Sequence, residues 1–188
     1  MEFKKTSIDG VYIIYSPIFS DERGDFCKTF NHSIFYKNIP MWDEIDIGYS
    51  FTEHYYSVNE KNVIRGIHYQ SKPCDLKKLV HVSLGSIKDV VLDIRKNSPT
   101  YGNHFEVSLY PGKMLFMVEG IAHGFLSKSG GPSILNYACT SQYNKEHDRG
   151  ILWNSFGCKW NSLPYGEPTI SDRDKKFLPF ERYGDYGF

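Results

Sequence analysis

The sequence has no excess of either charge: 22 lysines and arginines stand against 22 aspartates and glutamates in 188 residues. That balance gives no support for bulk binding to nucleic acid or to an anionic membrane, which needs a positive field. A local basic pocket stays open. Cysteines are few: Cys27, Cys74, Cys139 and Cys158. None belongs to a C-x-x-C pair, so the spacing suggests neither a zinc site nor a disulfide framework. Reduced thiols in a cytoplasmic protein are the expectation. No run approaches the ~18 consecutive apolar residues of a membrane span. The opening MEFKKTSIDG also lacks the apolar segment of a secretion signal. Repeats, linkers and low-complexity tracts are missing, and the length suits one domain over residues 1–188.

Helical signal is thin as well. NHSIFYKNI reads as one short helix with a polar cap, and SDRDKKF as another, capped by Ser171 with Asp174 three residues on. What remains is strand-like and aromatic. Phe, Trp and Tyr make up 16% of the chain, a class that favours strands and flat binding surfaces. GVYIIYSPIF ends in a turn at SDERGDF. KKLVHVSLGSIKDVVLDI gives two strands about Gly85-Ser86, with Lys78, Val80, Val82 and Leu84 on one face. In the second, Val91 alternates with Asp89 and Asp93. HFEVSLY, KMLFMVEG and SILNYACTSQY add more strands, punctuated at NSPTYGN and YPGK. Many short strands with little helix predict an all-β sandwich or barrel, most simply a jelly roll, with room for a ligand between inward side chains.

A few residues stand out as chemistry. His68, in NVIRGIHYQ, is open to three readings: a hydrogen-bonded structural residue, a metal ligand or a base. A metal needs three or four ligands; His123 is one candidate, and no third or fourth is evident. A buried aspartate on one imidazole nitrogen would fix the tautomer and raise the basicity of the other. Lys78 shares its strand face with valines, which is costly unless it meets an anion or a polarised oxygen. That favours it over Lys77, which reads as exposed. Tyr137 and Tyr143, six apart, face the same side if both lie on one strand.

Taken in order, FSDERGDF, VIRGIHYQ, KLVHVSLGSIKDVVLDIRKNSPTYG, EGIAHGFL, NYACTSQY, DRGILWN and ISDRDK resemble the nucleotide-sugar epimerases typified by dTDP-4-dehydrorhamnose 3,5-epimerase. The likeness spans about residues 10–178. It implies a cupin-type jelly roll that needs no metal or cofactor, and a homodimer in which strands of one subunit help build the other's site. It also implies roles. His68 matches the general base, Asp174 its dyad partner, Tyr137 the acid on the opposite sugar face and Lys78 the lysine near the keto oxygen. Arg65 and Arg23 match diphosphate ligands, Arg23 across the dimer. Gln70, His123 and Tyr143 match site-lining positions, and Phe26 falls in the nucleotide-pocket segment. The implied reaction is epimerisation at C3, C5 or both of a nucleotide-linked 4-keto-6-deoxy sugar, in capsule or other surface-polysaccharide synthesis.

Departures from the family pattern lie at Lys28, Glu53 and Tyr55. They suggest a rebuilt base pocket, with Glu53 accepting from guanine and Tyr55 stacking on a larger base. A GDP-linked 4-keto-6-deoxy-heptose is therefore expected. The alternatives are the dTDP-linked sugar of the rhamnose pathway, C3-only epimerisation, a cupin 3,4-ketoisomerase and a non-catalytic sugar binder. One geometric difficulty is visible. Strict alternation puts Arg65 and His68 on opposite faces, so a shared site requires a bulge that Gly66 could supply.

Overall fold

The computed structural model describes residues 1–40, 51–128, 130–160, 166–181 and 184–188. Among the described residues thirteen strands follow one another: β1 (Glu2–Lys5), β2 (Val11–Tyr15), β3 (Ile18–Asp21), β4 (Gly24–Cys27), β5 (Glu53–Asn59), β6 (Ile64–Gln70), β7 (Lys78–Leu84), β8 (Ile87–Asp93), β9 (His104–Leu109), β10 (Lys113–Met117), β11 (Ile121–Ser127), β12 (Ser133–Cys139) and β13 (Asp148–Gly150). Helix α1 (His32–Asn38) lies between β4 and β5, and a 3-10 turn covers Asp174–Lys176.

The strands form a six-stranded sheet, ordered β1-β2-β10-β7-β12-β5, and a five-stranded sheet, ordered β13-β6-β11-β8-β9. All pairings within them are antiparallel. This is the jelly roll that the strand pattern predicts. The β3–β4 hairpin stands apart as a two-stranded ribbon. The stretch read as a turn is thus mostly strand, with only Glu22 and Arg23 turning the chain.

Two apolar layers hold the sheets. The larger fills the space between them and continues under α1; it includes Val80, Val82, Val91, Phe125, Leu135 and, from the helix, Phe35. Helix α1 starts where expected: the Asn31 side chain accepts from the Ile34 N–H at 3.1 Å, and one apolar side chain per turn suffices to dock it. The second layer covers the outer face of the five-stranded sheet. There Ile64, Ile67, Val90, Leu92 and Leu126 pack against Ile151, Phe156, Trp160 and Ile170 from the chain after β13. Strand β8 is consequently buried throughout. Its inward Asp89 and outward Val90 both lie away from water, a pattern that alternation alone does not reveal.

The described cysteines are all free thiols. Among the described residues no helix is long and apolar enough to cross a membrane. Lys77 departs from expectation. It is 6% exposed, and its ammonium lies 3.6 Å from Glu119.

Candidate active site

Between the sheets lies a cavity of about 500 Å³, a size that suits a small molecule. Nine of the singled-out residues line it: Glu53, Tyr55, Arg65, His68, Gln70, Lys78, His123, Tyr137 and Tyr143. Asp174 borders an adjoining cavity that shares Arg65 and His68.

Strand β6 resolves the alternation problem with a bulge. His68 pairs with His123, but Arg65 pairs with Phe125, so Gly66 and Ile67 together face Gly124. The extra residue brings Arg65 and His68 to the same side. The two glycines permit it. A Cβ on Gly66 would lie 2.7 Å from the Gly124 Cα, and Gly66 has φ +117°. The turned backbone also points the Gly66 N–H at Asp174 Oδ2, 3.0 Å away.

The other carboxylate oxygen of Asp174 accepts from His68 Nε2–H at 2.9 Å. That bond fixes the tautomer and leaves Nδ1 as the basic nitrogen. Burial pushes the Asp174 carboxyl up, yet His68, the Gly66 N–H and the Ser171 hydroxyl together hold it below its ordinary value. Ser171 Oγ accepts from the Asp174 N–H at 3.1 Å. The segment differs from the expected capped helix: it is a 3-10 turn whose N-cap position is Arg173, without a side-chain cap bond, and the Asp174 side chain reaches β6 instead of closing a capping box. Phe177 presents its ring to the His68 imidazole, edge to face at 5.6 Å.

The six-stranded sheet supplies the facing wall. Tyr137 on β12 is almost fully buried, with its hydroxyl 3.3 Å from Ser57 Oγ. Burial pushes its phenol pKa up, so it keeps its proton at neutral pH. Lys78 on β7 opens into the same space. Behind these groups, His123 Nε2–H donates to Asp89 at 2.8 Å, both side chains being buried. Desolvation pushes His123 down and Asp89 up. Among the described residues no three His, Cys, Asp or Glu side chains are grouped as a metal would require.

Residues 5–182 match the family described as dTDP-4-dehydrorhamnose 3,5-epimerase. The chain belongs to that family. A dTDP-4-dehydrorhamnose 3,5-epimerase of Methanothermobacter thermautotrophicus is 40% identical over 182 residues, covering 94% of this chain and 93% of its own. In three dimensions the chain resembles the enzyme of the same name from Elizabethkingia anophelis, with TM-score 0.84, 29% identity and 96% of each chain covered. It is equally similar to the dTDP-6-deoxy-D-glucose-3,5-epimerase of Legionella pneumophila, solved with dTDP-4-keto-L-rhamnose. That match has TM-score 0.84 and 30% identity, over 95% of this chain and 92% of the other. The 3,5-epimerase family is one of isomerases.

Within this family member, Arg23, Phe26 and Lys28 do not line their own chain's cavity. They sit on or beside the β3–β4 hairpin, where Arg23 pairs with Asp21 and Phe26 is 61% exposed. Gln70 borders the cavity, but its amide is taken up by backbone. It donates to the carbonyls of Cys74 (2.6 Å) and Gln142 (3.2 Å) and accepts from the Asn144 N–H (2.6 Å). It pins two loops and has little left for a ligand. One Glu53 oxygen accepts from the Tyr143 N–H at 3.0 Å. One face of Tyr55 lies against Tyr137, with centroids 4.5 Å apart. The pair read as a guanine pocket is thus partly engaged with protein.

The sequence reading missed Arg173, Asp148, Ser57 and Asn59. Arg173 reaches both cavities, pairs with Asp148 at 2.6 Å and stacks on Phe177. Asn59 is buried and accepts from Arg65 Nε at 2.8 Å, fixing that guanidinium. Asp89 had a usable signal: an inward acid on an apolar strand must find a partner.

Proposed function

We propose that this protein epimerises a dTDP-linked 4-keto-6-deoxy sugar at C3 and C5. The observation that carries this reading is the opposition, across one cavity, of His68 on one sheet, backed by Asp174 from the 3-10 turn, and Tyr137 on the other sheet. Hydrogens on C3 and C5 are both alpha to the C4 ketone, so loss of either as a proton leaves an enolate. His68 Nδ1 takes the proton from one face. Lys78 hydrogen-bonds the enolate oxygen as charge gathers there. Tyr137 returns a proton to the opposite face, inverting the carbon. His68 then releases its proton to water and Tyr137 regains one from water, so the cycle is balanced and solvent deuterium enters the inverted carbon.

Arg65 and Arg173, at the boundary of the two cavities, suit a diphosphate through bidentate contacts. The dTDP in the relatives' names favours thymine nucleotides, and a GDP-linked heptose finds no support there. A second copy of the chain is part of the reading. The exposed Phe19 and Phe26 on the hairpin, with Tyr56 and Val58 on edge strand β5, are the apolar surface for it. Through that contact Arg23 would reach the partner's nucleotide.

The test is to offer dTDP- and GDP-linked 4-keto-6-deoxy sugars in deuterated water and follow C3 and C5 by NMR. Uptake at both carbons of the dTDP sugar is expected. Uptake at neither carbon of either substrate would sink the epimerase assignment. Preference for the GDP sugar would overturn the nucleotide, and uptake at C3 alone the position. Migration of the carbonyl would identify a ketoisomerase.

A further inference from the structure

The proton donor is held from three sides, and one support is a second tyrosine. Tyr55 and Tyr137 face each other directly in the β5–β12 register. Their rings stack with centroids 4.5 Å apart and planes 17° from parallel. Facing residues on antiparallel strands sit close enough for such a contact. Ser57, two residues further along β5, meets the Tyr137 hydroxyl. His123 offers its ring to Tyr137 at 6.4 Å and 73°. Tyr55 is itself tied down: the Cys139 thiol lies 3.8 Å from its hydroxyl, donating from the same strand as Tyr137. Of these supports only Tyr55 covers a broad face of the Tyr137 ring, and so resists its rotation most directly.

The attitude of that ring matters because one hydroxyl has to serve two carbons. C3 and C5 flank the ketone carbon on either side. A tilt of the phenol moves its proton toward one and away from the other, and misplacement by about 1 Å is enough to cost about 100-fold in rate. We propose that Tyr55 is a positioning residue that locks the Tyr137 ring and thereby sets the balance of proton delivery between C3 and C5. The inference rests on the assignment of Tyr137 as donor to the keto sugar. It gives Tyr55 a different task from stacking on a nucleobase.

The test compares the wild type with Tyr55→Val, which keeps strand propensity, and Tyr55→Phe, which keeps the ring. Each is given the dTDP-linked 4-keto-6-deoxy sugar in deuterated water. The readout is the ratio of deuterium uptake at C3 to that at C5 in a single sample, a ratio that does not depend on how much of the variant has folded. Tyr55→Val should shift the ratio about two- to ten-fold, the bias that one aromatic stack supports, and lower kcat more than it alters KM. Tyr55→Phe should restore the wild-type ratio. A wild-type ratio in Tyr55→Val overturns the proposal. So does a change confined to KM, or a Tyr55→Phe ratio that matches the valine variant. Absence of uptake by the wild type at either carbon would instead strike the donor assignment, and this inference with it.

Discussion

Gly150 offers a way to disturb His68, the proposed base, without touching it. It lies opposite His68 in the β13–β6 register. A methyl group at this position would fall 2.2–2.5 Å from three atoms of the Phe177 ring. The backbone of Gly150 is outside the left-handed region, so the objection to alanine is steric alone. Phe177 is only partly buried, but three contacts oppose its retreat. Its N–H donates to the Asp174 carbonyl at 3.4 Å, Arg173 lies over its ring at 5.3 Å, and its ring packs perpendicular to that of His68. Gly150→Ala therefore overpacks a tight spot, at a cost of about 1–3 kcal/mol. In a chain of this length that reads as a fall of about 3–10 °C in Tm. The displaced ring pushes on the imidazole, and kcat should drop about 10–100-fold with KM little changed. Combining it with Phe177→Ala tests the cause. With the ring gone, the new methyl fits the vacated space, so the double variant should match Phe177→Ala within about 0.5 kcal/mol. Urea denaturation of the four proteins, with steady-state kinetics, decides the matter. Additive losses, or a Gly150→Ala enzyme with wild-type kcat and Tm, would refute the reasoning.

Asp174→Asn keeps the shape of the dyad and removes its charge; kcat/KM should fall about 10²–10⁴-fold, whereas dTDP affinity by calorimetry should hold. A variant with full activity would remove Asp174 from the base. Acid stability should report on Asp93, whose carboxyl burial pushes up but which Arg95, Ser98 and Thr100 hold below its ordinary 3.8. A carboxyl with a depressed folded-state pKa adds stability above its unfolded value and loses it as pH falls through the folded one. Urea midpoints of the wild type should thus decline below about pH 4, and Asp93→Asn should flatten that decline while lowering stability at pH 7. Parallel curves for the two proteins would count against the assignment.

The fold was legible because alternation survives wherever one strand face is wet or lined by the cavity. Strands β7, β9 and β12 could be read from residue types, and α1 from its asparagine cap. Strand β8 could be placed but its burial could not, since its outer face is covered by residues from much later in the chain, from Ile151 on. The site was legible mainly through ordered motifs. Alternation by itself opposed a shared site for Arg65 and His68, and only the three-dimensional register shows the bulge that reconciles them. Lys77 was misread because its lysine character suggested water, whereas Glu119 supplies a partner from a distant loop. The protein contacts of Gln70 and Tyr55 were hidden for a related reason: residue type alone does not show which hydrogen bonds and ring faces the fold already uses. Arg23, Phe26 and Lys28 lie on or beside the β3–β4 hairpin and not on the cavity, a placement that their motif could not reveal.

The dyad joins residues 106 positions apart, and the later one arrives on the same stretch that seals the outside of the five-stranded sheet. On the proposed mechanism, the base is therefore complete only once this stretch has docked. A chain whose two sheets had paired without it would leave His68 without its carboxylate. Non-local closure of this kind is slow, so a refolding sample should regain its β-structure before it regains turnover. The delay between the two would measure how long the outer layer takes to dock.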